Sequence, residues 1–227
     1  SLLTVLINGF YAQIIVPLFN KQTKLENGDL KNEIKSYSKK VGFDLKNIFV
    51  IDGSKRSTKA NAYFSGFGKQ KRVTLYDTLI NKLSNEQIIA VIAHEVGHYK
   101  KKHIIFNLIF SIIQTGIMLY ILSLLIYMPV FSEALGINNH SFHIGLIVFS
   151  ILYTPISELS SIVFNIFSRK FEFQADRYAS ETFNSESLIE ALKILSKDSL
   201  SNLTPHPSYV WWHYSHPPLS KRISHLQ

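Results

Sequence analysis

The chain has 227 residues, 46% of them hydrophobic, with a mean hydropathy of +0.10 and a formal net charge of +8. That length allows one compact domain or a small domain with membrane helices, and the hydropathy is high for a wholly water-soluble chain. Cysteine is absent, which excludes a disulfide framework, a thiolate nucleophile and a thiolate metal ligand.

The 24 Lys and Arg residues lie only within 20–103 and 168–227, with none in 1–19 or 104–167. Such a pattern separates water-facing segments from lipid-facing ones. Residues 1–19 are uncharged and read as a transmembrane helix ending near Pro17, begun abruptly, as in a fragment of a longer protein. The stretch lacks the basic start and small-residue cleavage site of a signal peptide. Residues 20–103 read as a water-facing α+β segment. The turn Asn27-Gly28-Asp29 opens a helix through Ile34, Tyr37 and Val41. IFVIDG (48–53) reads as a strand, and NAYFSGF (61–67) with RVTLY (72–76) as a β-hairpin around GKQK. Ser84 and Gln87 form a capping box for a helix running through IIAVIAHEVGHYKKKH.

Residues 104–128 hold no charge; at about 1.5 Å per residue they reach across a hydrocarbon core of about 30 Å. Residues 129–140 are predicted to be a short external or lumenal loop, and 141–167 a second span interrupted by Pro155 and Glu158. A carboxylate in lipid is costly, so Glu158 is expected to face water or a partner; packing, lining a chamber and catalysis all remain open for it. Residues 168–227 return to water. The cation-free 129–140 loop puts both basic segments on the cytoplasmic side. The fold class expected is a mainly α membrane protein, a helical transmembrane bundle carrying a small α+β metalloprotease domain with a short sheet.

His94-Glu95-Val96-Gly97-His98 has the form His-Glu-x-x-His. On a helix the two imidazoles lie one turn apart on one face and can bind one Zn²⁺, with Glu95 beside the open position. A carboxylate there can take a proton from a metal-bound water and return it to the leaving amine. A catalytic site wants a third protein ligand. His103, five residues on and behind three lysines, is expected to point elsewhere. Glu172, in FEFQAD (171–176), is the candidate, because an antiparallel pair of spans returns it level with the His94 helix. Asp176, one turn on, could orient a ligating imidazole. On spacing alone a solvated Glu/Asp face fits equally well.

Residues 18–227 resemble the C-terminal half of the type I CAAX prenyl proteases, integral-membrane zinc endopeptidases. LFNK, LENGDL, VGFDLKNIFVIDGSKRSTKANAYFSGFGKQKRV, LYDTL, HEVGHYKKKH, SRKFEFQAD and HYSHPPLSKRI carry the resemblance, in order. It implies that Glu172 is the third zinc ligand and Asp176 its supporting carboxylate. It implies that His216 and Arg222 of the His-Pro-Pro-Leu-x-x-Arg segment face the active site, where a cationic or N–H group could steady an oxyanion. It implies too that the Asn61-Ala62 strand is the edge against which a substrate peptide lies. Members of that family have more membrane spans than this chain supplies.

The expected function is therefore zinc-dependent endoproteolysis with Glu95 as general base, removing the C-terminal tripeptide of prenylated CAAX proteins. A membrane quality-control protease of the heat-shock type is the alternative within the same clan, and a non-catalytic scaffold with a zinc site the alternative outside it. The expected location is the endoplasmic reticulum membrane in a eukaryote or the inner membrane in a bacterium. Nucleic acid is not indicated: the lysines lack aromatic interleaving, and anionic headgroups of a lipid bilayer suffice as partners for them. WWHY (211–214) fits either an interfacial anchor or a cleft wall.

Overall fold

Asp29, placed behind Gly28, starts a three-turn helix whose Ile34 and Tyr37 point inward while its lysines stay in water. That amphipathic pattern recurs through the charged parts of the chain in the computed structural model, which describes residues 16–43, 45, 47–65, 72–137 and 141–227. The segment 1–15, which holds most of the first expected span, and the GKQK turn lie outside the described residues. So does the end of the 129–140 loop.

The elements run in chain order as α1 (Val16–Phe19), β1 (Gln22–Lys24), α2 (Asp29–Lys40), β2 (Asn47–Ile51), β3 (Ala62–Ser65), β4 (Arg72–Tyr76), α3 (Asp77–Lys82) and α4 (Asn85–Lys100). They continue as α5 (His103–Leu125), α6 (Pro129–Ala134), α7 (Phe142–Thr182), α8 (Ser185–Asp198), α9 (Pro207–His213) and α10 (Leu219–Leu226). The chain is thus mainly helical with one small sheet, of strand order β1-β2-β4-β3. β2 and β4 are parallel; β3 pairs antiparallel with β4 alone and forms an edge, Ala62 opposite Leu75 and Phe64 opposite Val73. The expected hairpin strands are both present.

The sheet's inner face, carrying Ile48, Ala62, Val73 and Leu75, packs on α4, which is buried nearly all round through Ile88, Ile89, Ala90, Ile92, Ala93 and Val96. Each large aliphatic side chain so buried contributes about 1.5–3 kcal/mol. The predicted capping box is formed: the Ser84 hydroxyl accepts from Gln87 N–H and the Gln87 carboxamide from Ser84 N–H, so orphan donors at the helix start are paired. Opposite the sheet, α4 crosses α7 closely enough that a Cβ on Gly97 would come within 3.0 Å of Ala175 Cα. Glycine at that position lets the two backbones approach.

α4 ends where Lys102 takes a left-handed conformation (φ 61°, ψ 27°), and α5 starts at the next residue. α5 and the apolar part of α7 are long and apolar enough to cross a membrane. α7 is one unbroken helix of 41 residues, about 60 Å long at 1.5 Å per residue. It joins the span expected at 141–167 to the water-facing segment expected from 168, and the chain turns back between α5 and α7 through the short helix α6. In the apolar half of α7 the hydroxyls of Ser150, Thr154, Ser157, Ser160 and Ser161 bond to carbonyls of their own helix three or four residues back. No external partner is needed to satisfy them.

Candidate metal centre and cleft

Two helices build the centre. α4 presents His94 and His98 one turn apart, and the Gly97 crossing brings α7 alongside so that Glu172 faces both. The Nε2 atoms of the two histidines are 3.1 Å apart. Glu172 Oε2 lies 3.6 Å from His94 Nε2, and Glu172 Oε1 lies 3.3 Å from His98 Nε2. One ligand atom from each of the three can be chosen so that all lie within 4.8 Å of one another.

The donor set suits a divalent zinc ion. His94 Nδ1 is 2.9 Å from Asp176 Oδ1, which fixes the ring proton on Nδ1 and leaves the Nε2 lone pair turned toward the Glu172 carboxylate. Lone pairs of an imidazole and an anionic oxygen facing one point are satisfied by a cation. Two histidines and one carboxylate are the ligand set of a catalytic zinc site with an open fourth position.

Asp176 is fully buried, and Arg222 neutralises it through a two-pronged bond, Nε to Oδ2 at 2.8 Å and Nη2 to Oδ1 at 2.5 Å. Arg222 Nη1 lies 3.3 Å from Glu172 Oε2. Its fork is therefore turned on the two carboxylates of α7, though its side chain also reaches the cleft wall. His216 stands on the other flank of Glu172, Nε2 at 3.4 Å from Oε1, with 65% of its side chain exposed and Ser215 Oγ 3.0 Å from Nδ1. Pro217 and Pro218 hold it there before α10 begins.

Burial alone would raise the Glu172 carboxyl, but the His98 hydrogen bond and the charges of His94, Arg222 and His216 hold it well below the usual carboxylate range. Glu95 goes the other way. Burial pushes its carboxyl up despite the neighbouring His94 and His98.

Glu95 and His94 stand at the head of a cleft of about 250 Å³. One wall is Ala60, Asn61 and Ala62; the other is Leu188, Leu192 and Leu195 of α8; Leu79 and Val91 line its depth. Lys82 ties these walls together, its ammonium 2.6 Å from both the Thr58 carbonyl and Asp198 Oδ1. Tyr76 N–H donates to the Asn61 carbonyl, so by antiparallel alternation the main-chain groups of Ala62 and Phe64 point away from β4. The Ala62 N–H is held by its neighbour's side chain, Asn61 Oδ1, at 2.8 Å. A second cavity of about 410 Å³ continues past His216, Pro217 and Leu219, sharing Leu192, Leu195 and Arg222 with the first.

Of the candidate site residues, His94, Glu95, Glu172, His216, Arg222, Asn61 and Ala62 line one cleft, while His98 and Asp176 stand behind it, bonded to Glu172 and to His94 and Arg222 respectively. His103 stays outside the metal donor set. It is buried, with Nδ1 3.0 Å from His98 Nδ1 and Nε2 2.9 Å from Gln174 Oε1. Glu158 finds a partner in the Trp212 indole, whose Nε1 is 3.3 Å from Oε2, so Trp212 packs along the apolar half of α7, while Tyr214 of the same segment lines the second cavity.

The sequence pattern of Peptidase family M48 matches residues 24–227. The chain is 40% identical over 223 residues to the CAAX prenyl protease 1 homolog of Arabidopsis thaliana, covering 98% of this chain and 53% of that protein. It is 40% identical over 228 residues to CAAX prenyl protease 1 of Saccharomyces cerevisiae, covering 93% of this chain and 50% of that one. The crystal structure of S. mikatae Ste24p superposes with a TM-score of 0.91 at 37% identity, covering 100% of this chain and 56% of that chain. The chain spans about half the length of the curated relatives it matches.

Proposed function

The chain belongs to peptidase family M48, and from that premise we propose that it hydrolyses peptide bonds at a zinc ion held by His94, His98 and Glu172. The observation that carries the reading is the convergence of those three side chains beside Glu95, at the head of a cleft walled by a free strand edge. Zinc bound there would polarise the scissile carbonyl and make a water more acidic.

The chain's own residues do the rest. An extended peptide lies along β3, exchanging main-chain hydrogen bonds with Ala62 and Phe64, with Asn61 Oδ1 giving up the Ala62 N–H as it docks. Glu95 takes a proton from the attacking water and passes it to the amide nitrogen as the C–N bond breaks, leaving a carboxylic acid and an amine. His216, the exposed cation-capable group of the site, donates from Nε2 to the oxygen that gains charge. Arg222 serves mainly by holding Asp176 and Glu172 in place.

The substrate we propose is a prenylated protein ending in a CAAX sequence, cleaved after the modified cysteine, with the lipid lying among membrane helices. α5 and the first half of α7 would be two spans of a multi-pass bundle in the endoplasmic reticulum or inner membrane, the basic segments facing the cytoplasm. Strand-edge docking asks little of substrate side chains, and this favours a second reading, membrane-protein quality control. Purified protein given a farnesylated CAAX peptide and its unprenylated twin separates the two. Cleavage of the lipidated peptide alone supports the first reading and equal cleavage of both the second. In either case Glu95→Gln is expected to lower kcat by about 10²–10⁴-fold, and activity undiminished by that change would overturn the mechanism.

A further inference from the structure

His94 and His98 are ligands of the same type on one helix, yet their outer nitrogens meet different surroundings. His94 Nδ1 faces the Asp176 carboxylate at 2.9 Å. His98 Nδ1 faces a third imidazole, that of His103, at 3.0 Å, and His103 Nε2 faces the Gln174 carboxamide oxygen at 2.9 Å. The three polar groups form a line from the centre into the α5–α7 contact. His103 is 3% exposed and lies flat on Phe171, ring centroids 4.1 Å apart and planes 12° from parallel. The left-handed turn at Lys102 puts it there, by ending α4 and restarting the chain with His103 at the first position of α5.

The geometry points to His103 as a positioning residue that, with Gln174, fixes the tautomer and ring orientation of His98. With the Gln174 amide oxygen on His103, only one arrangement of protons satisfies every atom in the line. An amide oxygen only accepts, so His103 carries its proton on Nε2 and donates to Gln174. His103 Nδ1 is then a bare acceptor, and His98 must donate to it from Nδ1. That leaves the His98 Nε2 lone pair aimed at the space shared with His94 and Glu172. The reverse arrangement would need the Gln174 amide turned end for end, and would present a His98 N–H where a ligand lone pair is required. One ligand of the centre is thus oriented by a buried carboxylate and the other by an uncharged imidazole–amide relay.

The inference rests on the reading of His98 as a ligand through Nε2, and the experiment distinguishes the two. Zinc affinity is measured by chelator competition on detergent-solubilised protein, with thermal unfolding recorded with and without zinc. His103→Leu keeps an apolar body against Phe171 but removes the acceptor, and is expected to weaken zinc binding about 10–100-fold. His103→Asn places an amide oxygen where Nδ1 stood and should restore affinity close to the wild type. Gln174→Glu, which can only accept, should bind like the wild type, and Gln174→Leu should fail as His103→Leu does. The metal-free melting temperature of His103→Leu should be no lower than that of His103→Asn, which gives up the Phe171 contact, so a rescue of zinc affinity by His103→Asn cannot be an effect of packing. Wild-type affinity in His103→Leu, failure of His103→Asn to rescue, or failure of Gln174→Glu would each overturn the relay. Absence of zinc binding by the wild type itself would remove the metal centre, and the relay with it.

Discussion

The two halves of α7 are built for different solvents. From Phe142 to Phe167 many of its large side chains, such as Ile151, Leu159 and Val163, are exposed, and its serine and threonine hydroxyls bond to their own backbone. From Glu172 to Ala179 the residues facing α4 are nearly inaccessible, and two of them are carboxylates bound to Arg222 and the site histidines. The same backbone thus carries an apolar surface that needs no partners and a charged one that is useless without them. In the first half most side chains are replaceable by anything apolar, Glu158 and Asn165 with their bonds to Trp212 excepted; in the second each depends on atoms supplied from α4, α5 and α10.

The sharpest way to break this contrast is Asp176→Ala. It leaves Arg222 buried with half its pairing gone, and is expected to cost about 3–5 kcal/mol in unfolding free energy, with loss of zinc uptake measured alongside. Ile151→Arg, in the other half, should raise the cost of membrane insertion by about 3–4 kcal/mol, seen in an insertion assay, while protein that does insert binds zinc as before. A loss of zinc affinity there would show that the halves are not independent.

The far end of α7 offers a subtler probe. Tyr37 OH is 2.8 Å from Thr182 Oγ1, and burial pushes the phenol up to about 12. The folded state keeps that proton while an unfolded chain gives it up near pH 10. Stability from this group is therefore complete below pH 10 and is lost as pH climbs toward 12, by roughly 2–3 kcal/mol at most. Tyr37→Phe should flatten that part of the pH–stability curve relative to the wild type. Gly97→Ala, which forces α4 and α7 apart by a few tenths of an ångström, should destabilise by about 1–3 kcal/mol. Because the displacement falls between His98 and Glu172, zinc affinity should drop with it; an unchanged affinity would mean that the crossing has slack.

Local patterns were legible before any coordinates. The capping box, the β3–β4 pair and the two long apolar helical stretches depend on neighbours within a few residues. The His-Glu-x-x-His spacing is a property of one helix. Glu172 and Asp176 were ambiguous on spacing, because a helical Glu/Asp pair looks the same facing water or metal; family resemblance separated those cases. Arg222 was placed near the site but not on Asp176, since that bond joins residues far apart in sequence. The contacts of His103 are hidden for a related reason: the helix expected to run on to His103 ends at Lys100, and the left-handed kink at Lys102 turns the ring to the interior. The continuity of α7 was also hidden, because the change from apolar to charged composition near 168 looks like an element boundary when it is only a change of environment.

An unbroken α7 constrains how this protein can vary in length. One residue added or removed between Pro155 and Glu172 turns everything beyond it by about 100° and shifts it by about 1.5 Å. Glu172 would leave the histidines, or the apolar face would leave its surroundings, and no neighbouring loop could absorb the error. The turn joining α5 to α7 carries no such penalty. Insertions and deletions among relatives should therefore gather around 129–141 and spare the helix, in the way a gear tolerates a longer handle but not an extra tooth.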